Sequence, residues 1–167
     1  MPYAKLRSEL LDAREVRQEV LQNLLQRDSG TVLQLSLNIP GAEKAPAGVD
    51  ILFRWGDIHL RDAFPQLVLE QTAVDALGPW ALYRTSALPL ESKRRCCAIE
   101  RSRDFARLLD IDVYAADGSP CGRSQMEVAQ RRCLICTAPA KECIRLGRHS
   151  AVEIKGRFEE LLSPFTA

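Results

Sequence analysis

Two aspartates flank a single isoleucine inside an otherwise apolar stretch, residues 106–118 with the sequence ARLLDIDVYAADG. In a β-strand, residues i and i+2 point to the same face, so Asp110 and Asp112 are predicted to project side by side. Carboxylates this close repel each other unless a cation neutralises them. Mg²⁺ prefers such oxygen ligands and leaves its other positions to water and substrate phosphates. The pair predicts a platform for phosphoryl or nucleotidyl transfer, although two exposed acids could also simply pair with arginines.

Further charged residues lie close to this pair in the sequence. Glu100 ends the segment before it, and Lys93, Arg94, Arg95 and Arg107 are nearby. Three acids and several cations brought together on adjacent strands would form a metal-and-phosphate site, because cationic side chains bind phosphate oxygens through charge-assisted hydrogen bonds.

A second group of reactive residues occupies residues 131–149, RRCLICTAPAKECIRLGRH. It contains Cys133, Cys136, Cys143 and His149 at a C-x₂-C-x₆-C-x₅-H spacing. Four such ligands could close a tetrahedral zinc site. Free cysteine is also among the most buried residue types, so packing around a short helix explains the same residues. Both interpretations stay open, and a thiol activated by Arg131, Arg132 and His149 is a third.

Helical periodicity predicts three helices that would help to position these groups. The first lies within LLDAREVRQEVLQNLLQRDSG and is stopped by Asp28-Ser29-Gly30. The second spans about 47–64, with Gly56 weakening its middle. Ser150 and Glu153 form a capping box that begins the last helix.

Alternation of apolar and polar residues predicts the strands. The first lies in TVLQLSLNIPG and is ended by Pro40-Gly41. Four more are predicted in QLVLEQ, ALYRTSA, RRCCAIE and RLLDIDVYAA. This order predicts a single α+β domain over residues 1–167, in which a mixed β-sheet is covered by N-terminal and C-terminal helices.

Composition narrows the classes of function. The 167 residues are 46% hydrophobic and 27% charged with a net charge of +1, which is typical of a globular domain and not of a polycation that binds nucleic acid. Residues 91–150 contain twelve Lys/Arg against eight Asp/Glu, a surplus of +4 that suits an anionic ligand. Since neither a membrane span nor a secretory signal is apparent, a cytoplasmic location with six reduced cysteines is expected.

The motifs together resemble a known family. RLLDIDV, followed by RRCLICTAPAKECIRLGRH, is similar to the CitX-type holo-acyl-carrier-protein synthases, the apo-citrate lyase phosphoribosyl-dephospho-CoA transferases. The resemblance extends upstream to DAREVRQ, SLNIPGAEK and LGPWALY, and to Lys93 with Ile99-Glu100. Two positions depart from the family pattern: Ala106, where glycine is usual, and Trp80, which could stack on an adenine ring or fill the core.

The resemblance implies a nucleotidyltransferase-like sheet and a reaction. Such enzymes attach a 2′-(5″-phosphoribosyl)-3′-dephospho-CoA arm to a serine of the acyl-carrier subunit of citrate lyase. The donor is triphosphoribosyl-dephospho-CoA, and pyrophosphate leaves. The resemblance implies that Asp110 and Asp112 hold Mg²⁺, with Glu100 as a third ligand or as the base. The residues expected to bind substrate are Lys93, Arg107, Gly78, Arg131 and Arg132.

Two alternative functions stay open. The same chemistry could serve the carrier protein of malonate decarboxylase. The chain could instead be a zinc-stabilised module that docks on an acidic carrier protein through its arginine-rich half, without chemistry. Replacing Asp110 and Asp112 with asparagine would separate an enzyme from such a module, because only the enzyme would lose turnover.

Overall fold

The computed structural model describes residues 2–27, 30–126 and 129–166 of the chain. The helices are α1 (Pro2–Arg27), α2 (Val49–Ala63), α3 (Pro89–Arg101), α4 (Ala140–Leu146) and α5 (Ala151–Leu162). The strands are β1 (Thr31–Leu37), β2 (Val68–Asp75), β3 (Gly78–Thr85) and β4 (Leu109–Tyr114). None of the helices in these ranges is long and apolar enough to cross a membrane.

The four strands form one sheet in the order β2-β3-β1-β4. All three pairings are antiparallel. The predicted α+β class is therefore confirmed, while the sheet is antiparallel and not mixed. The difference arises because β2 and β3 are consecutive antiparallel strands, and α3 then carries the chain past β1, so that β3 and β4 run in the same direction on either side of β1 and both pair with it antiparallel.

The segment RRCCAIE lies in α3, so the strand predicted there is wrong. Pro89 occupies the first turn of this helix, where its missing N–H would have no intrahelical partner. Lys93, Cys96 and Glu100 recur at helical spacing and form one buried face. A short apolar run cannot be assigned to helix or strand from periodicity alone, and here the packing of the whole chain decides.

The first helix is longer than its apolar periodicity predicts. It begins at Pro2 and is described as far as Arg27, and β1 starts at Thr31. The predicted stop at Asp28-Ser29-Gly30 falls partly on residues 28 and 29, which lie outside the described residues.

The sheet buries both of its faces, but unequally. One face packs against α2, α3 and α5 and forms the larger core, to which β1 and β4 contribute Leu33, Leu35, Leu37, Leu109, Ile111 and Val113. The other face packs against α1 at one end only, where Leu21 and Leu24 contact Val32, Trp80 and Leu82. The half of this second face that α1 leaves open carries Asp110 and Asp112.

Helix α2 crosses the sheet at very short range. A Cβ added to Gly56 would lie 2.9 Å from Cδ2 of Leu109 and 3.4 Å from both Cδ atoms of Leu35. Gly56 therefore permits the close packing that supports β1 and β4 from behind the aspartates, within a helix that runs unbroken from Val49 to Ala63.

Candidate active site and metal cluster

Asp110 and Asp112 project from the same face of β4. In the antiparallel pairing with β1 they lie opposite Ser36 and Gln34. Ile111, between them, points to the opposite face and is fully buried in the core. Alternation along the strand thus directs two carboxylates toward one region outside the sheet.

The two aspartates line a cleft of about 870 Å³, which we call the aspartate cleft. Its other walls come from residues 120–124 and 129–131 and from the start of α4, and its basic side chains are Lys93, Arg123, Arg131 and Lys141. Burial, followed by the negative charge of Asp110, raises the pKa of Asp112 above its usual range. The paired carboxylates are therefore incompletely neutralised by the protein and could accept a cation.

Lys93 and Glu100 bind the outer edge of β4. The amide N–H of Ile111 donates to Oε1 of Glu100 at 3.0 Å, and Nζ of Lys93 donates to the carbonyl of Ile111 at 2.6 Å. An edge strand has backbone groups with no neighbouring strand to pair with. Both residues come from α3 and not from an adjacent strand, so they complete the sheet edge as well as lining the cleft.

Glu100 is also the centre of an ion-pair network. Its side chain is 3% exposed, and its two oxygens accept hydrogen bonds from Arg123 and Arg131. Arg131 reaches further, to Oδ1 of Asp110 at 3.2 Å and to the carbonyl of Leu109 at 3.0 Å. The network links α3, β4 and the segment that forms the opposite wall of the aspartate cleft.

The sequence reasoning missed Arg123, and no motif marked it. The surplus of basic residues between 91 and 150 was the only available signal. Lys141 and Asn38, which also line the aspartate cleft, were missed although they lie within the motifs RRCLICTAPAKECIRLGRH and SLNIPGAEK. Their role depends on which segments meet across the cleft, and local spacing does not encode that.

Three of the predicted substrate-binding residues lie away from the aspartate cleft. Arg107 donates to the carbonyls of Arg132 and Cys133, and burial lowers its pKa. Arg107 and Arg132 both line a neighbouring cleft instead. Gly78 begins β3 with φ 99° and lies against the carbonyl oxygen of Lys44, which an added Cβ would approach to 2.9 Å.

The four predicted zinc ligands come together. The candidate ligand atoms of Cys133, Cys136, Cys143 and His149 all lie within 4.8 Å of one another. Sγ of Cys136 is 3.5 Å from Sγ of Cys143. The geometry arises because α4 ends at Gly147 in the left-handed conformation, which turns the chain back toward the start of the segment.

The chemistry of this cluster is compatible with structural zinc. Nε2 of His149 is buried and has no hydrogen-bond partner among the described residues. The amide N–H of Ile135 points to Sγ of Cys133 at 3.5 Å. A tetrahedral zinc with ligands at roughly 2.0–2.3 Å needs ligand atoms about 3.3–3.8 Å apart, so a small contraction of the cluster would suffice. All six cysteines of the chain are free thiols.

The thiols of the cluster are electrostatically distinct. The backbone N–H of Ala138 lowers the pKa of Cys136 to about 6. Burial raises the pKa of Cys143 to about 11.

Comparison with known proteins identifies the family. The family model described as CitX, apo-citrate lyase phosphoribosyl-dephospho-CoA transferase, matches residues 6–165. The chain belongs to the CitX family. The family resemblance of the sequence motifs is thereby confirmed.

Individual CitX relatives agree with this assignment. The chain is 30% identical over 164 residues to the probable apo-citrate lyase phosphoribosyl-dephospho-CoA transferase of Vibrio cholerae, covering 95% of this chain and 92% of that protein. It is 29% identical over 163 residues to the Escherichia coli transferase, covering 95% and 89%. Protein CitXG of Haemophilus influenzae is 32% identical over 161 residues, which cover 91% of this chain and 34% of CitXG.

Both departures from the CitX pattern are core positions. Trp80 is 2% exposed and packs in the smaller core, where the guanidinium of Arg17 lies 5.3 Å from its ring. Ala106 is fully buried in the short turn that precedes β4. Trp80 therefore fills the core and does not face a ligand, and Ala106 supports the base of β4.

Proposed function

We propose that this protein transfers the 2′-(5″-phosphoribosyl)-3′-dephospho-CoA group from triphosphoribosyl-dephospho-CoA to a serine of the acyl-carrier subunit of citrate lyase, with release of pyrophosphate. The observation that carries the proposal is the convergence of Asp110 and Asp112 in a cleft with four basic side chains. Membership of the CitX family supports the choice of substrates. The proposed location is the cytoplasm, where six free thiols persist.

Asp110 and Asp112 fit a magnesium ion. They project from the same side of β4, and burial together with the negative charge of Asp110 raises the pKa of Asp112. When bound there, Mg²⁺ neutralises charge on the polyphosphate and orients it. Hard oxygen ligands that leave the remaining positions to water and phosphate are the usual magnesium environment in such transferases.

The basic walls of the aspartate cleft are proposed to bind the phosphates of the donor. Arg123, Arg131 and Lys141 line this cleft together with the aspartates, and Arg131 contacts Asp110 directly. Guanidinium and ammonium groups form charge-assisted hydrogen bonds to phosphate oxygens and fix the donor for attack. In the transfer, the serine oxygen forms a bond to the phosphorus nearest the ribose, the bond from that phosphorus to pyrophosphate breaks, and the hydroxyl proton is released.

Glu100 is proposed to position the site and not to act as a metal ligand or base. Both of its oxygens accept hydrogen bonds from arginines, and one of them also accepts the amide of Ile111. Three of its roughly four lone-pair sites are thus occupied, and the side chain is almost fully buried. The carboxylate instead holds Arg131 where it meets Asp110, and holds β4 against α3.

A groove rich in arginine adjoins the aspartate cleft and is proposed to receive the acidic carrier protein. The two share Glu100, Arg123 and Arg131, and the groove continues past Arg101, Arg103, Arg107 and Arg132. Surfaces of one charge sign increase the rate of association with a partner of opposite charge. The groove would guide the carrier so that its serine reaches the donor.

Cys133, Cys136, Cys143 and His149 are proposed to hold a structural zinc. The partnerless Nε2 of His149 supports this assignment. A zinc with four protein ligands has no open position for substrate, so its role would be to hold the segment 133–149 in place.

The deciding experiment follows the mass of the carrier. Purified protein, triphosphoribosyl-dephospho-CoA and Mg²⁺ are incubated in parallel with the apo carrier of citrate lyase and the apo carrier of malonate decarboxylase. The expected result is a mass increase of the citrate lyase carrier by the prosthetic group, together with release of pyrophosphate. If the malonate decarboxylase carrier alone is modified, the acceptor is reassigned, and if neither is modified the proposed function is refuted.

A further inference from the structure

A second concave site adjoins the aspartate cleft. It has a volume of about 360 Å³, and we call it the apolar cleft. Its apolar lining is formed by Leu134, Ile135, Ile144 and Ile154, and its cationic lining by Arg107, Arg131 and Arg132. A concave apolar site with a few convergent charged groups is the usual form of a small-molecule site.

The two clefts share part of their lining. Asn38, Arg131, Ala140 and Ile144 line both of them. Ile144 lies on α4, and it is 80% exposed although it is a large apolar residue. A ligand that extends from one cleft to the other would therefore pass over Ile144 and cover it.

The donor of the proposed reaction has two chemically different parts. The triphosphate is the reacting part and needs cations. The dephospho-CoA part combines a flat base and a long, mostly uncharged arm with a diphosphate between them. The aspartate cleft suits the first part, and the apolar cleft presents apolar side chains and arginines together, which suits the second.

We propose that the apolar cleft binds the dephospho-CoA part of the donor, with the diphosphate near Arg107 and Arg132 and the uncharged portions against Leu134, Ile135 and Ile144. This inference rests on the proposed function. Binding of a remote, unreacting part of a substrate supplies energy that positions the reacting part. The segment that holds the zinc ligands forms a wall of this cleft, since Cys133, Cys143 and His149 also line it.

Two exposed residues offer a matched test. Ile144 on α4 lines both clefts and is 80% exposed, and Val152 on α5 is 81% exposed and lines neither. Ile144→Glu and Val152→Glu each add one carboxylate to an exposed apolar position, so neither threatens folding. Only the first adds charge beside the proposed binding surface for the diphosphate and the uncharged arm.

The experiment is titration calorimetry with dephospho-CoA, which lacks the triphosphoribosyl group, on the purified protein. The expected result is binding to the unmodified protein, a loss of affinity of about tenfold or more for Ile144→Glu because a charged carboxylate is placed against the uncharged portions of the ligand, and a change within about twofold for Val152→Glu. Asp112→Asn should bind dephospho-CoA normally. With the complete donor, Ile144→Glu should lower kcat/KM by a similar factor, because the lost binding energy also positions the reacting part.

The inference is overturned if dephospho-CoA does not bind or if both glutamate variants bind it equally. It is also overturned if Ile144→Glu weakens only the binding of the carrier protein, which would assign the cleft to the acceptor. Its failure is distinct from failure of the proposed function. If the protein modifies the carrier but shows one of these outcomes, the proposed function stands and the proposed subsite is rejected. If the protein binds dephospho-CoA as expected but modifies no carrier, the proposed subsite stands and the proposed function is rejected.

Discussion

The amide N–H of Ile111 donates to the Glu100 carboxylate at 3.0 Å, so a side chain of α3 occupies the place where a further strand would pair with β4. Lys93 completes the arrangement at the carbonyl of the same residue, at 2.6 Å. Because Ile111 stands between the two aspartates, these bonds fix the strand at the point where Asp110 and Asp112 emerge. The same Glu100 carboxylate binds the arginine that reaches Asp110.

Glu100→Gln should destabilise the protein even without substrate. The substitution leaves Arg123 and Arg131 without their buried anion, and a loss of roughly 2–3 kcal/mol in the free energy of unfolding is expected because both arginines keep some access to water. Denaturant unfolding measures it. Glu91→Gln, which removes an exposed pair with Arg95 on the same helix, should cost no more than about 0.5 kcal/mol. Equal stability of both variants would contradict the positioning role.

Asp110→Asn and Asp112→Asn should each reduce transfer by about 100-fold or more, since each removes a charged group placed at the reacting phosphates. Carrier modification measured by mass spectrometry tests this. Asp112→Asn should unfold at no lower denaturant concentration than the unmodified protein, because the amide removes repulsion between the carboxylates. Asp62→Asn, on the exposed side of α2, is the control and should be fully active. Full activity of both site variants would favour a docking module.

The purified protein should contain about one zinc per chain. Cys136→Ser should reduce the zinc content and lower the melting temperature, because one of four ligands is lost. Elemental analysis and thermal unfolding measure the two effects. Cys121→Ser, outside the cluster, should retain the metal. A protein that contains no zinc when prepared in zinc-supplemented medium would identify the cluster as plain packing.

Two helical glycines should respond in opposite ways to alanine. Gly56→Ala should destabilise by about 1–3 kcal/mol, because the new methyl would meet Leu109 at 2.9 Å. Gly156→Ala should stabilise by about 0.5–1 kcal/mol, since nothing lies within 4 Å of its added Cβ and alanine is the better helix former. Chemical denaturation of both variants measures the difference. A neutral or stabilising Gly56→Ala would show that α2 can move away from the sheet.

Tyr83→Phe should change how stability depends on alkaline pH. The hydroxyl of Tyr83 donates to Oδ1 of Asp57 at 2.6 Å, and burial followed by this bond raises the pKa of Tyr83 well above its usual range. A group with a raised pKa in the folded state contributes stability below its unfolded pKa, about 10 for tyrosine, and loses it as the pH rises beyond that value.

The variant should therefore be less stable at neutral pH by about 1.5–3 kcal/mol, the contribution of a hydrogen bond to a charged group. The difference in free energy of unfolding between the unmodified protein and Tyr83→Phe should become smaller above about pH 10. Urea unfolding at pH 7 and at several alkaline pH values measures both effects. A constant gap would mean that Tyr83 ionises as readily in the folded state as in the unfolded state.

Local spacing was sufficient for much of the fold and for part of the site. The alternation of Leu109, Asp110, Ile111 and Asp112 determined that two carboxylates share a face, because side chains of a strand alternate at every residue. The spacing of the cysteines and His149 indicated four ligands that the structure does bring within 4.8 Å. The motifs of the CitX family could also be recognised in the sequence.

Tertiary structure decided which groups meet the aspartates. RRCCAIE forms a helix because its buried face packs against β4. Glu100 therefore does not lie on an adjacent strand, as predicted, but accepts a hydrogen bond from the edge of β4. Arg123 lines the aspartate cleft, whereas Gly78 does not. The physical reason is that backbone geometry repeats over two or 3.6 residues and so fixes the direction of a side chain locally, whereas its partners depend on how segments distant in sequence pack together.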